Sequence, residues 1–428
     1  VGAPGSAARR AAFEILRATR AGELFEAARD RTLAGLSERD ARLAHEIAAG
    51  VLRHRRFLDA QVRRLVADRW RSVPASLRDV LRIGAYQLLA LDRVPPYAAV
   101  ATAVDLARTR HGTRSGAFVN AVLRGLARSR PAPRLDAAGD AAQAGRTDAQ
   151  QLAERFSHPD WLVARWLGAF GREATERLLA HHSRRPPLHL QPLRWTRDDL
   201  ARAATAAALA AEPAAGTAGL LVRARTPRQV PGFSEGAFVV QGAGQAQLLD
   251  SVRLRPGSRV WDACAAPGGK TAILARAHVV VASDRSRKRL GLLRETLRRT
   301  ASKALVMVAD ARQPPVRPGA VDVVWLDAPC SATGTIAQHA DARWRLTPRR
   351  LARLAGAQSE LLDAVAAIPA PGGTVVYTTC SLEREENEAQ VDRFLRGHPE
   401  YRRDQPDLFV FPPASGADGG YRAVLRRA

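Results

Sequence analysis

From about residue 241 onward, short apolar runs alternate with helical stretches. This alternation narrows the possible folds more than any other feature of the chain. The runs occupy 259–262, 279–284, 305–310, 321–327 and 374–377, and four of them end on an aspartate: Asp262, Asp284, Asp310 and Asp327. They are nearly continuous in Val, Leu and Trp, as strands covered on both faces are. Stretches such as the basic 285–299 supply the intervening helices. The pattern predicts a doubly wound, mainly parallel α/β sheet over 241–428. Two further runs, 408–411 and 421–425, predict a closing pair of strands.

The rest of the chain reads differently. Residues 8–130 have apolar positions at helical spacing, with no strand-like run. Ala12, Ile15 and Leu16 share one face, Leu43, Ile47 and Val51 a second, and Phe118, Val122 and Leu126 a third. Ser37 with Asp40 three residues on predicts an N-cap; Pro74 opens a helix, and Pro95-Pro96 breaks one. This stretch is expected to form an all-α domain. Residues 131–150, rich in Ala, Gly, Asp and Pro, read as a linker. Residues 151–240 begin as a helix around Trp161, Val163 and Trp166 and then offer strands at 188–190 and 219–222. They are expected to form a small α+β segment.

The 428 residues carry a net charge of +24, which pulls toward a polyanion. Almost all the cations are Arg, the only lysines being Lys270, Lys288 and Lys303. Compositional bias accounts for most of that ratio but not for the net excess. Nucleic acid is therefore the expected partner, and an anionic membrane surface is not. No apolar run approaches the ~18 residues of a membrane span, and residues 1–6 lack the apolar core of a signal peptide. Three widely spaced cysteines fit neither a zinc framework nor a disulfide scaffold. No metal site is expected, and a reducing, cytoplasmic compartment is.

Each cysteine sits in a motif. Cys264 lies in Asp262-Ala263-Cys264-Ala265-Ala266-Pro267-Gly268-Gly269-Lys270, Cys330 in Asp327-Ala328-Pro329-Cys330, and Cys380 in Thr378-Thr379-Cys380-Ser381. Glycines at the first strand-to-helix turn let a ligand approach the backbone. A phosphate loop would need Gly six residues before Lys270, where Cys264 stands. Asp284, closing the second run, is placed to accept from ribose hydroxyls, and Asp310, closing the third, to meet an adenine edge. Either one alone is more often a helix N-cap. A nucleoside pocket with no phosphate loop describes S-adenosylmethionine better than a nucleoside triphosphate. Thiols suit methyl transfer to a pyrimidine. A thiolate adding to carbon 6 makes carbon 5 nucleophilic, with an acid needed near ring nitrogen 3 and a base to remove the carbon-5 proton.

Together these three motifs resemble the bacterial Sun/Fmu (RsmB-type) family of RNA cytosine carbon-5 methyltransferases, within the wider Nop2/NSUN superfamily. The likeness covers nearly the whole chain. Residues 8–130 resemble a NusB-like helical RNA-binding domain, and Ser157-His158-Pro159 resembles the start of the family's middle segment. The resemblance implies an all-α domain, a small α+β RNA-binding subdomain, and a Rossmann-like methyltransferase domain that uses S-adenosylmethionine. By position, Cys264, Ala265, Ala266, Pro267, Gly268, Gly269 and Lys270 line the cofactor's methionine end. Asp284 holds the ribose, Asp310 sits near the adenine, and Asp327 touches the cofactor or the cytosine ring. Cys380 is the implied nucleophile, with Cys330 assisting breakdown of the adduct; in the DNA enzymes the Pro-Cys thiol attacks instead. The implied substrate is 16S rRNA, unassembled or in a partly assembled small subunit, at about position 967, with the enzyme acting as a monomer. Two other readings stay open: the same chemistry on tRNA or another rRNA site, and a non-catalytic RNA-binding assembly factor. The chain departs from the family pattern at Gln241-Gly242, Leu193-Arg194-Trp195-Thr196, His339-Ala340-Asp341 and Gly420-Tyr421-Arg422.

Overall fold

A computed structural model describes residues 5–129, 147–224, 226–415 and 417–428. The chain divides into two compact units. The first runs to Arg184 and takes in His339–Arg345; the second comprises Arg185–Gln338 and Leu346–Ala428. Most of the expected linker, 131–146, lies outside the described residues. Its last residues are the start of a helix, Asp148–Arg155. The Thr147 hydroxyl accepts from the Gln150 amide at 3.3 Å, while the Gln150 side chain accepts from the Thr147 amide at 3.1 Å. The expected 151–240 segment is divided: the helices Asp148–Arg155 and Asp160–Ser183 fall in the first unit, and its strands, with the helix Arg197–Ala206, in the second.

The first unit is helical. Its elements include Ser6–Arg20, Phe25–Leu33, Glu38–Val66, Ala75–Ala90, Pro96–His111, Thr113–Arg128 and Asp160–Ser183. The short helix Phe25–Leu33 has no counterpart in the sequence reading; only Phe25 and Ala28 of it are buried, too few for a periodic signal. Ser37 caps the third helix as expected, accepting from the Asp40 amide at 3.2 Å. Ile15, Ile47, Leu58, Val62, Leu81 and Ile83 form a fully buried centre. Gly50 lets two helices cross closely, since a Cβ there would lie 1.9 Å from the Tyr86 ring. Two buried arginines are held in opposite ways. Arg82 is held by Asp59 at 2.7 Å and Asp79 at 2.8 Å. Arg343, on the segment that joins this unit from far along the chain, donates to the Ser157 carbonyl at 3.1 Å and the His182 carbonyl at 3.0 Å. Burial pushes its pKa well down.

The second unit holds two sheets. The smaller is antiparallel, with strands β1 (Leu188–Pro192), β2 (Ala211–Pro213), β3 (Leu220–Val222) and β4 (Phe238–Val240) in the order β2-β3-β1-β4. The larger comprises β5 (Arg259–Asp262), β6 (Val279–Asp284), β7 (Leu305–Val308), β8 (Val321–Asp327), β9 (Pro369–Thr379), β10 (Tyr401–Arg403), β11 (Leu408–Val410) and β12 (Gly420–Arg427). The order β10-β12-β9-β8-β5-β6-β7, with β11 also on β12, is parallel from β7 to β9 and antiparallel beyond. The closing pair predicted at the tail is β11 and β12. Side chains alternate between the faces: Trp261, Val324, Leu326, Val375 and Tyr377 pack on one side, and Val260, Val323, Trp325 and Val376 on the other. Fully burying each large side chain contributes about 3 kcal/mol. Asp310 does not end its strand. β7 is a sheet edge that stops at Val308, and Asp310 instead starts a turn in which its side chain accepts from the Arg312 amide at 3.0 Å. β9 is longer than the 374–377 run because Gly372 and Gly373 carry no side chain to register in the pattern.

Candidate active site

The chain runs outward from β5 to β6 and β7, then returns to place β8 on the other side of β5. Such a switch leaves a crevice at the carboxyl ends of the two central strands. Asp262 ends β5 and Asp327 ends β8, so the two aspartates flank this point.

On the β5 side, Asp262 is buried and accepts from the Thr271 hydroxyl at 2.7 Å, while its Oδ1 has no hydrogen-bond partner. Burial, with Asp327 and Asp284 nearby, raises its carboxyl to about 7. The loop Ala265–Gly268 turns on Gly268, whose φ of 100° favours glycine, and is closed by the Gly268 amide donating to the Ala265 carbonyl at 2.8 Å. The helix that follows, Gly269–Leu274, is only six residues long. The expected helix-dipole contribution is correspondingly small. Cys264 sits among Asp262, Asp284 and Asp327; burial first, then these charges, push its thiol up to about 12. It is therefore no thiolate at neutral pH. Asp284, at the end of β6, accepts from the Ser286 amide at 2.9 Å and pairs with Arg289 at 3.1 Å. Its Oδ2 has only that half-exposed arginine as partner, which leaves acceptor capacity for a diol. Asp310 is gripped by Arg312, whose hydrogen bonds hold its carboxyl near 2. No sequence signal singles out Arg289 or Arg312; each lies a few residues beyond its aspartate in a chain where arginine is too common to stand out.

On the β8 side, Lys270 reaches across to form an ion pair with Asp327 and donates to Gln245 Oε1 at 3.0 Å. Asp327 also accepts from the Thr378 hydroxyl at 3.0 Å. Cys330 and Cys380 follow the ends of the adjacent parallel strands β8 and β9, in which Asp327 pairs with Thr378. Their sulfurs lie 2.9 Å apart, and the Cys380 amide donates to the Cys330 sulfur at 3.3 Å. The contact with Cys380, then burial, then the charges of Cys380 and Glu386 raise the Cys330 thiol well above the usual range. All twelve of the expected site residues thus lie at or just beyond the carboxyl ends of β5, β6, β7 and β8 or, for Cys380, of β9. The closest side-chain contacts join Lys270 to Asp327 and Cys330 to Cys380.

Sequence reasoning gave Gln245, Thr378, Glu386 and Asn387 no role. Glu386 falls in an acidic run with Glu383, Glu385 and Glu388, and no spacing distinguishes the one carboxylate whose side chain turns in toward Ser331.

The model of the 16S rRNA methyltransferase RsmB/F family matches residues 249–420, and that of the NusB family matches residues 6–128. A probable ribosomal RNA small subunit methyltransferase B from Synechocystis sp. is 36% identical, over 98% of this chain and 99% of its own length. Ribosomal RNA small subunit methyltransferase B proteins from Erwinia tasmaniensis and Vibrio cholerae are 33% and 34% identical, over 91% of this chain and 91% and 90% of theirs. The solved structure of PH0851 matches over 100% of both chains with a TM-score of 0.82 at 23% identity, which supports the fold. On these relatives, the chain belongs to the 16S rRNA methyltransferase RsmB/F family.

Proposed function

We propose that the enzyme methylates carbon 5 of a cytosine in 16S rRNA, with Cys380 as the nucleophile and Cys330 as the assisting thiol. The observation that carries this reading is the pair of sulfurs 2.9 Å apart beside the Lys270–Asp327 ion pair. S-adenosylmethionine supplies an electrophilic methyl group on a sulfonium. The residues fit such a ligand: Asp284 retains an acceptor for ribose hydroxyls, and Gly268 and Gly269 leave two backbone positions of the loop without a side chain. Ala265, Ala266, Pro267 and Lys270 complete the methionine end, and Asp310 lies on the adenine side.

The assignment of the nucleophile follows the family pattern, in which the thiol after the fifth strand of the parallel sheet attacks; here that is Cys380, just beyond β9, with Cys330 in contact with it. The Cys380 sulfur, its proton given up to a base, bonds to carbon 6, and the ring electrons move toward carbon 5 and nitrogen 3, so that carbon 5 would take the methyl group of bound S-adenosylmethionine, which would leave as the neutral thioether. Cys330 then assists breakdown of the adduct, in which the carbon-5 proton leaves to a base and the carbon–sulfur bond breaks to release the Cys380 thiolate. Asp327, oriented by Thr378 and Lys270, supplies a carboxylate at the reacting end. Reaching a stacked base requires the target nucleotide to be extruded, and the cationic excess, with the helical 8–130 region as RNA-binding domain, holds the rRNA.

The test is a methylation assay on 16S rRNA with labelled S-adenosylmethionine. Cys380→Ala loses methyl transfer while still binding cofactor in a calorimetric titration, and Cys330→Ala accumulates a protein–RNA adduct stable to detergent. Undiminished turnover by Cys380→Ala rejects the assignment. Bisulfite mapping identifies the nucleotide, and a modified cytosine found in tRNA alone rejects the rRNA target.

A further inference from the structure

Two consecutive residues brace both thiol loops, and neither belongs to a strand end. Glu386 is fully buried. Its carboxylate accepts from the backbone amide of Ser331, next to Cys330, at 2.9 Å and 3.2 Å, and the Ser331 hydroxyl donates to it as well. Gln358 donates to the same carboxylate at 3.1 Å and to the Pro329 carbonyl, on the other side of Cys330, at 2.9 Å. Asn387, also fully buried, treats Cys380 in the same way. Its side-chain oxygen accepts from the Thr379 hydroxyl at 2.6 Å, and its amide nitrogen donates to the Ser381 carbonyl at 3.0 Å. Both neighbours of each cysteine are therefore tied, one loop through Glu386 and Gln358 and the other through Asn387. The Tyr377 hydroxyl, donating to the Glu386 carbonyl at 2.7 Å, anchors the brace to β9. The two loops also bond directly, through the Gly334 amide to the Cys380 carbonyl at 3.0 Å and the Leu382 amide to the Thr333 hydroxyl at 2.9 Å.

A buried carboxylate is costly to retain unless its hydrogen bonds do something an apolar side chain would not. Here burial pushes the Glu386 pKa up, while the bonds from Ser331, Ser381 and Gln358 pull the other way. We propose that Glu386 and Asn387 are positioning residues for the two catalytic thiols, Glu386 chiefly holding the loop of Cys330 for adduct breakdown and Asn387 that of Cys380 for attack. The inference rests on the roles given to the two thiols above.

Because the two residues act on different steps, their variants separate. The full-length chain, 16S rRNA transcript and labelled S-adenosylmethionine are used, with adduct read on a denaturing gel and cofactor affinity by calorimetry. Glu386→Ala is expected to slow turnover by about a hundredfold, the usual effect of a misplaced group, and to accumulate adduct as Cys330→Ala does. Glu386→Gln, which keeps an acceptor for the Ser331 amide, restores turnover to within about tenfold of wild type. Asn387→Ala loses adduct and methylation together, as Cys380→Ala does. All three variants bind cofactor as the wild type does. The proposal is overturned if Glu386→Ala and Asn387→Ala share one phenotype, or if either loses turnover only in proportion to cofactor binding. A Cys380→Ala enzyme that still methylates would instead sink the assignment of the thiols, which separates the two failures.

Discussion

The Cys380 amide donates to the sulfur of Cys330 at 3.3 Å, and the two sulfurs face each other at 2.9 Å across the ends of adjacent parallel strands. Cys264, on the far side of the switch point, has no such thiol partner. This arrangement makes the three thiols chemically distinct.

Treatment with the thiol oxidant diamide is expected to join Cys330 to Cys380, each losing a hydrogen to the reagent. The free-thiol count falls from three to one and methylation stops; dithiothreitol restores both. Peptide mass mapping checks the linkage. A bond involving Cys264, or three unchanged thiols, would contradict the geometry.

In a Cys330→Ala/Cys380→Ala chain the remaining thiol is Cys264, held up to about 12 by burial and by Asp262, Asp284 and Asp327. Its alkylation by iodoacetamide should be slow at pH 7.5 and still climbing at pH 10. A rate that levels off near pH 8.5, the usual thiol value, would show that the local field is weaker than the structure implies.

Asp262 gives a stability prediction with a definite sign. Its folded pKa of about 7 lies above the ~3.9 of an unfolded chain. The neutral carboxyl's contribution is therefore complete below about pH 4 and is lost as pH rises through about 7. The melting temperature of Asp262→Asn relative to wild type should increase between pH 4.5 and pH 7.5. A difference that stays flat or falls over this range would contradict the raised value.

Arg343 anchors the His339–Arg345 segment within the helical unit through the carbonyls of Ser157 and His182. Arg343→Met would leave those acceptors buried without donors, at about 1–3 kcal/mol each. Chemical denaturation should show a loss of that order. A loss below about 0.5 kcal/mol, the range of an ordinary surface change, would mean that water replaces the guanidinium.

Trp261, Val324 and Val375 fall on one face of the large sheet, and Val260, Val323 and Val376 on the other, so both sides are buried and the strands read as continuous apolar runs. The Ser37 cap and the proline boundaries are local chemistry between residues a few positions apart, and they too could be read directly. Asp262, Asp284 and Asp327 were placed at strand ends for the same reason. Asp310 is expected at a strand end too, but the structure stops that strand at Val308, because nothing in a run of apolar residues marks where an edge strand stops pairing.

What the linear chain determined was the set of elements and the chemical groups at their ends, since both follow from periodicity and short-range backbone preferences. What tertiary structure alone decided was pairing across long separations: Lys270 with Asp327, Cys330 with Cys380, Ser331 with Glu386, and Arg343 with Ser157 and His182. Glu386 shows why. Its neighbours Glu383, Glu385 and Glu388 carry the same group, and only the packing of the loop after β9 turns Glu386 toward Ser331, where exclusion of water gives its hydrogen bonds their strength.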